Sequence, residues 1–159
     1  MEEWKKIDDF EYEVSNYGNV RRIGKKMLKP GLKRGYYYVK LRKNGKAKNK
    51  TIHRLVAETF IPNVENKTCA DHKDGNKLNN NVHNLRWSSS SENSRNRAKN
   101  RNNTSGFKGV YFHKQRQKYY AKICLNGKSI HIGLFETAED AFEAYKIKAD
   151  ELHGEFAKY

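Results

Sequence analysis

The tightest constraint on this chain is its shortage of apolar side chains. Only 36% of its 159 residues are hydrophobic and two are tryptophan. That is too little to line one large core, so the expectation is a set of small modules, partly ordered by what they bind. The apolar residues come in short bursts cut by turn signals. Tyr12-Glu13-Val14-Ser15 alternates and then meets Asn16-Tyr17-Gly18-Asn19, a strand ended by a turn. Residues 36–41 are rich in β-formers and Asn44-Gly45 follows them, the strongest short hairpin signal. Thr51-Ile52 reads as part of the returning strand, with a loose loop over residues 46–50. At His53 the period changes: Leu55, Val56, Thr59 and Phe60 recur at helical spacing, and Pro62 closes the segment. Residues 63–68 read as loop.

The last third reads β-β-β-α. Strands are expected over residues 107–112, 118–125 and, after the turn Asn126-Gly127, 129–135. Thr137 stands three positions before Asp140, a capping-box-like start to a helix running to about Leu152. Its buried face is Ala138, Ala141, Ala144, Tyr145, Ala149 and Leu152, and the small alanines let it sit close on a sheet. Tyr37-Tyr38-Val39-Lys40 before Asn44-Gly45 and Tyr119-Tyr120-Ala121-Lys122 before Asn126-Gly127 share hairpin chemistry. Their flanks do not match, so they are not a repeat.

Charge narrows the partner. Lys and Arg number 33 against 18 Asp and Glu, a formal net charge of +15, which marks a polyanion binder. The basic residues interleave with Tyr, Asn and Gly rather than with long apolar faces, which favours nucleic acid over an anionic lipid surface. The net charge is +9 over residues 1–52, +4 over 53–103 and +2 over 104–159. Within the last segment, residues 104–135 hold six basic side chains and no acid, whereas 136–159 hold seven acids and three lysines. The sheet is therefore the expected attractive face, with the helix turned away. Arg95, Arg97, Lys99 and Arg101 alternate with polar residues, a strap expected to be disordered alone and ordered along phosphates.

Other classes are set aside. No stretch approaches the ~20 apolar residues of a membrane span. The first residues, Met1-Glu2-Glu3-Trp4-Lys5, lack the pattern of a signal peptide, so a cytoplasmic protein is expected. Cys69 and Cys124 form no CxxC pair, which speaks against structural zinc or a disulfide framework; both are expected to be ordinary buried thiols.

The chemistry-bearing stretch is Asp71-His72-Lys73-Asp74-Gly75-Asn76, followed by Asn84-Leu85-Arg86-Trp87 and Ser91-Glu92-Asn93. Hydrolysing a phosphodiester needs a base for water, a cation for charge on the phosphate and leaving oxygen, and a frame that fixes both. His72 can be the base, and Asp71 is a hard oxygen donor beside it. Strand neighbours point to opposite faces, so the two need a bend or hairpin to serve one site, and Asp74-Gly75 is a turn signal just beyond.

Asp71-His72, Asn84 before Leu-Arg-Trp, and Ser-Glu-Asn together resemble the HNH endonucleases of the ββα-metal fold. His53-Arg54-Leu55-Val56-Ala57 with Phe60-Ile61-Pro62-Asn63 resembles their phage and intron-encoded homing subgroup. The resemblance implies Asp71 as metal ligand, His72 as general base, Asn84 as the structural asparagine of the hairpin loop, and Asn93 on the following helix as second metal ligand. The literal motif has a second histidine at this last position. Asp and Asn oxygens imply Mg²⁺ or Mn²⁺, one per active site, held weakly without DNA. His83 is not used by the family pattern, and His53 is expected to pack, to hydrogen-bond at a helix start or to contact DNA.

The flanks carry resemblances of their own. Residues 3–22 resemble the NUMOD4-like segment fused before such domains. Ser105-Gly106-Phe107-Lys108-Gly109-Val110, Tyr120-Ala121-Lys122-Ile123 and Ile132-Gly133-Leu134-Phe135-Glu136-Thr137-Ala138-Glu139-Asp140-Ala141 resemble the AP2/ERF-type DNA-binding domain. Such domains bind the major groove through their sheet, which makes His113, Arg116, Lys118, Tyr120 and Lys122 candidate contacts, of which only some can share one face.

The expected fold is modular α+β. A NUMOD4-like β-rich module covers residues 1–52, a ββα-metal (His-Me finger) core 53–97, a basic linker 98–103, and a three-stranded antiparallel sheet plus helix 104–159. The expected function is a homing-type or phage-encoded, metal-dependent endonuclease acting on double-stranded DNA. It would nick as a monomer or cut both strands as a DNA-induced dimer, with no obligate protein partner. The rivals are a DNA-binding protein with a decayed HNH core and an RNA-binding protein.

Overall fold

The shortage of apolar residues is met by division. The computed structural model describes residues 1–96, 99 and 102–159, and these fall into two units, Met1–Ser90 and Ser91–Tyr159. Each closes its own core. Among the described residues, no helix is long and apolar enough to cross a membrane.

The first unit has three small antiparallel sheets. Strands β1 (Trp4–Lys6), β2 (Tyr12–Ser15) and β3 (Val20–Arg22) form one, in that order. A second orders β4 (Gly31–Lys33), β5 (Tyr36–Lys43) and β6 (Lys46–Thr51). The third is the pair β7 (Cys69–His72) and β8 (Leu85–Ser88). Helix α1 (Ile52–Phe60) buries Ile52, Leu55, Val56 and Ala57, the stripe that helical spacing puts on one side. Ile52, Leu55 and Val56 pack with Val14, Val20, Val39, Leu41 and Leu85, so one helix gives the three sheets a common core. Burying each such side chain contributes about 1.5–3 kcal/mol.

The loose loop expected over residues 46–50 is instead strand. Asn44 and Gly45 both take left-handed backbone, at φ 49° and 74°, which makes the turn a tight two-residue one. Lys43 pairs with Lys46, and the ladder continues to Tyr38 opposite Thr51. β6 lies at the sheet's edge with mostly exposed side chains. An edge strand needs no apolar alternation, and its lysines oppose pairing with another chain.

The second unit begins within α2 (Ser90–Arg95). Its sheet orders β11 (Lys128–Phe135), β10 (Lys118–Leu125) and β9 (Val110–His113), all antiparallel. Helix α3 (Ala138–His153) starts where the Thr137 hydroxyl accepts the Asp140 N–H at 3.1 Å. Ala138, Ala141, Tyr145 and Ala149 of α3 pack with Val110, Ala121 and Ile123 of the sheet.

Two expectations change here. The strand expected over residues 107–112 begins only at Val110, because Gly109 has φ 75° and a Cβ there would lie 2.2 Å from the Tyr145 ring. The chain turns tightly over that ring, and Phe107 stacks on Phe142 at 4.7 Å instead of pairing. The cysteines are not buried thiols: Cys69 is half-buried and Cys124 is exposed. Cys124 follows buried Ile123 on β10 and so points to the opposite side.

Candidate active site

His72 ends β7 and the chain turns at once, with the Gly75 N–H donating to the His72 carbonyl at 2.9 Å. Asp71 pairs across the ladder with Arg86, and His72 with Leu85. Both β7 side chains are buried, at 6% and 4% exposure. Asp71 Oδ2 accepts from Arg86 Nε at 3.1 Å, and an Arg86 terminal nitrogen lies 3.1 Å from the same oxygen. The carboxylate is thereby held by a buried cation.

Asn84 closes the loop between the two strands. Its Oδ1 accepts the Asp74 N–H at 3.1 Å, and its Nδ2 donates to Asp74 Oδ1 at 2.9 Å and to the Asn79 carbonyl at 2.8 Å. Its own carbonyl accepts the Lys73 N–H at 2.8 Å. One side chain thus meets both ends of the loop.

The His72 ring sits in an aromatic group from three elements. The His53 ring, near the start of α1, lies 5.0 Å away, and Tyr36 of β5 lies 6.1 Å from His72 and 4.9 Å from His53. Lys77 Nζ stands 4.7 Å over the Tyr36 ring. His72 Nε2 meets Asn80 Oδ1 at 3.2 Å. Burial pushes the His72 pKa below the ordinary 6.5, which keeps the ring neutral and able to take a proton near neutral pH.

His53 is depressed further, to about 4, first by burial and then by His72 and Arg54. Its Nδ1 is buried without a hydrogen-bond partner among the described residues. Because its folded pKa is below its unfolded one, the unfolded chain binds the extra proton. Stability is full above pH 6.5 and is lost as pH falls toward 4. We expect the unfolding free energy to drop by roughly 3 kcal/mol across that window from this group. His53→Phe keeps the ring packing and should flatten the drop, as urea titrations at several pH values would show.

In the second unit, Asn93 is half-buried on α2. Arg95 donates to Ser91 Oγ at 3.2 Å and to Asn126 Oδ1 at 3.1 Å, and Lys99 Nζ donates to the Gly106 carbonyl at 2.7 Å. Arg97 and Arg101 lie outside the described residues. Strand alternation and register put His113, Lys118, Tyr120 and Lys122 on the sheet face away from α3, with Arg116 in the turn between β9 and β10. Lys118 pairs with Glu136.

Several of these residues escape sequence reasoning. On the sheet face, Tyr120 stacks with Tyr111 at 5.3 Å and with His131 at 6.0 Å, and Lys122 Nζ lies 4.6 Å over Tyr111. Tyr111 and His131 carried no motif; only the period of two could have placed them. Tyr36, Asn80 and Arg86 are the corresponding additions around Asp71 and His72. Arg86 was legible in principle, as the residue that a β7–β8 register sets opposite Asp71.

Among the described residues, no three or more His, Cys, Asp and Glu side chains gather as a metal site. A single carboxylate suits a hard cation whose shell is completed by other oxygens.

Residues 50–95 match the HNH endonuclease family, and residues 2–42 match the NUMOD4 motif. The chain is 47% identical over 89 residues to DNA endonuclease I-HmuI of Bacillus phage SP01, covering 54% of this chain and 51% of that protein. It is 40% identical over 140 residues to the uncharacterized HNH endonuclease L245 of Acanthamoeba polyphaga mimivirus, covering 87% of this chain and 39% of that protein. It thus spans about half or less of the length of these two curated relatives. A solved structure of the HNH homing endonuclease I-HmuI, described as showing DNA binding and cleavage, superposes with a TM-score of 0.56 at 31% identity. The match covers 95% of this chain and 91% of that one. The mixed α+β architecture of small sheets and few helices is shared with that structure, and with identity sustained over nearly all of both, this chain belongs to the HNH endonuclease family.

Proposed function

We propose that this chain is a site-preferring DNA endonuclease that hydrolyses phosphodiester bonds with one divalent cation, Mg²⁺ or Mn²⁺, per active site. The observation that carries the reading is the buried Asp71-His72 pair at the end of β7, inside the segment that matches the HNH family. His72, neutral through burial, takes a proton from water, which attacks phosphorus as the 3′ oxygen leaves. Arg86 orients the Asp71 carboxylate, and Asn84 holds the loop that follows His72. HNH nucleases generally use divalent metal ions; when bound, such an ion supplies positive charge for the phosphate and the departing oxygen. Asp71 and Asn93 are the residues that would hold it, and both fall within the family match. With so few protein donors, DNA oxygens and water complete the shell.

The flanking modules would place the cut. Residues 1–52 act as a NUMOD4-like DNA-binding module, and residues 104–159 as an AP2-like domain whose sheet face carries His113, Lys118, Tyr120 and Lys122. Arg116 extends that contact from its turn. The basic strap that carries Arg95, Arg97, Lys99 and Arg101 follows phosphates between them. One active site per chain means nicking by a monomer, and a double-strand break needs a second copy on the DNA. The setting is the cytoplasm of a bacterial or phage-infected cell.

The test uses a duplex that carries a demonstrated binding site, with each strand end-labelled in turn. One strand is expected to be cut with Mg²⁺ or Mn²⁺ and neither with EDTA. Bound but uncut duplex under every metal condition would favour the non-enzymatic reading.

A further inference from the structure

We propose that Asn80 is a positioning residue for His72. Its amide oxygen holds the imidazole as the tautomer protonated on Nε2, so that Nδ1 carries the lone pair that takes the proton from water. The proposal rests on the reading of His72 as general base.

The orientation of the Asn80 amide follows from its second contact. Asn80 Nδ2 donates to the Leu78 carbonyl at 3.3 Å, and only the nitrogen can do so. The atom that meets His72 Nε2 at 3.2 Å is therefore the oxygen. An amide oxygen only accepts, so Nε2 must carry the hydrogen, and a neutral ring then has its lone pair on Nδ1.

Asn80 is itself held in place. It is 7% exposed, and a Cβ at Gly18 would come within 2.8 Å of the Asn80 Cβ. Gly18, at φ 86°, lies in the β2–β3 turn, where the Ser15 hydroxyl accepts the Tyr17 and Asn19 N–H groups at 3.3 and 3.1 Å. That turn also ties to the residues beyond Asn80, through the Val82 N–H donating to the Asn16 carbonyl at 2.8 Å. On the other side, the Asn79 carbonyl is fixed by Asn84. The amino-terminal module thus buttresses the asparagine that sets the ring of the base.

The test combines a spectrum with kinetics on the full chain. Long-range ¹H–¹⁵N correlation above the His72 pKa, assigned with His72→Ala, should show the His72 proton on Nε2. Asn80→Leu removes the acceptor and should give a mixture of tautomers. Its single-turnover cleavage should fall by about 10–100-fold, by analogy with losing the partner that orients a metal-ligating histidine, with duplex affinity measured in EDTA unchanged. Asn80→Asp keeps an accepting oxygen and should restore both the tautomer and most of the rate. A wild-type spectrum with the proton on Nδ1 overturns the proposal, as does a folded Asn80→Leu variant that cleaves at the wild-type rate. If both Asn80 variants fail to fold, the wild-type spectrum decides alone. Failure of the base reading shows separately, as His72→Ala cleaving at the wild-type rate whatever the tautomer is.

Discussion

His72→Ala is expected to slow single-turnover DNA cleavage by about 10²–10⁴-fold, the contribution of a positioned general base, with little change in duplex affinity. His72 is 4% exposed at the end of β7, and the net charge of +15 is spread along the chain rather than gathered around it. Affinity should come from phosphate contacts by many basic residues, so removing one neutral ring leaves it nearly intact. Filter binding in EDTA and quenched-flow cleavage with Mn²⁺ separate the two quantities. An equal fall in both would assign His72 to binding or folding. Wild-type cleavage would move the base elsewhere.

Asp71→Ala carries the second large effect, and it should strike activity and stability together. The Asp71 carboxylate is paired with Arg86 in a buried setting, with side chains 7% and 10% exposed. Removing one partner leaves the other charge buried without it, which costs about 3–5 kcal/mol. Cleavage should be lost beyond detection, because the proposed metal ligand goes as well. Asp71→Ala combined with Arg86→Met removes both charges and should regain much of the stability in urea unfolding, while cleavage stays absent. Recovery of cleavage along with stability would show that Asp71 only balances Arg86. Full stability in the single variant would mean that the ion pair contributes nothing to the fold.

The architecture was legible where local chemistry decides it. The Asn44-Gly45 and Asn126-Gly127 turns, the helical stripe on α1 and the Thr137 cap were all read from side-chain types that act within a few residues. The misreadings came where a distant partner decides. Lysines in β6 gave no apolar alternation because the strand lies at an edge, and the late start of β9 depends on Tyr145, which lies far along the chain. The chemistry-bearing stretch followed the same rule. Asp71, His72 and Asn84 stood out as a spaced pattern. Tyr36 and His53 reach the His72 ring only through packing of β5 and α1 against β7, and Asn80 was hidden in the run Asn79-Asn80-Asn81, which has the composition of any turn.

The most direct test of the central claim is the chemistry of the DNA ends. Supercoiled plasmid with a demonstrated binding site would be incubated with the protein and Mg²⁺ or Mn²⁺, quenched with EDTA, and half of it treated with DNA ligase. Attack of water on phosphorus with departure of the 3′ oxygen leaves a 5′ phosphate and a 3′ hydroxyl, so the account predicts metal-dependent nicked circles that ligase reseals. Plasmid that is bound but never nicked, or nicks that ligase cannot close, would contradict it.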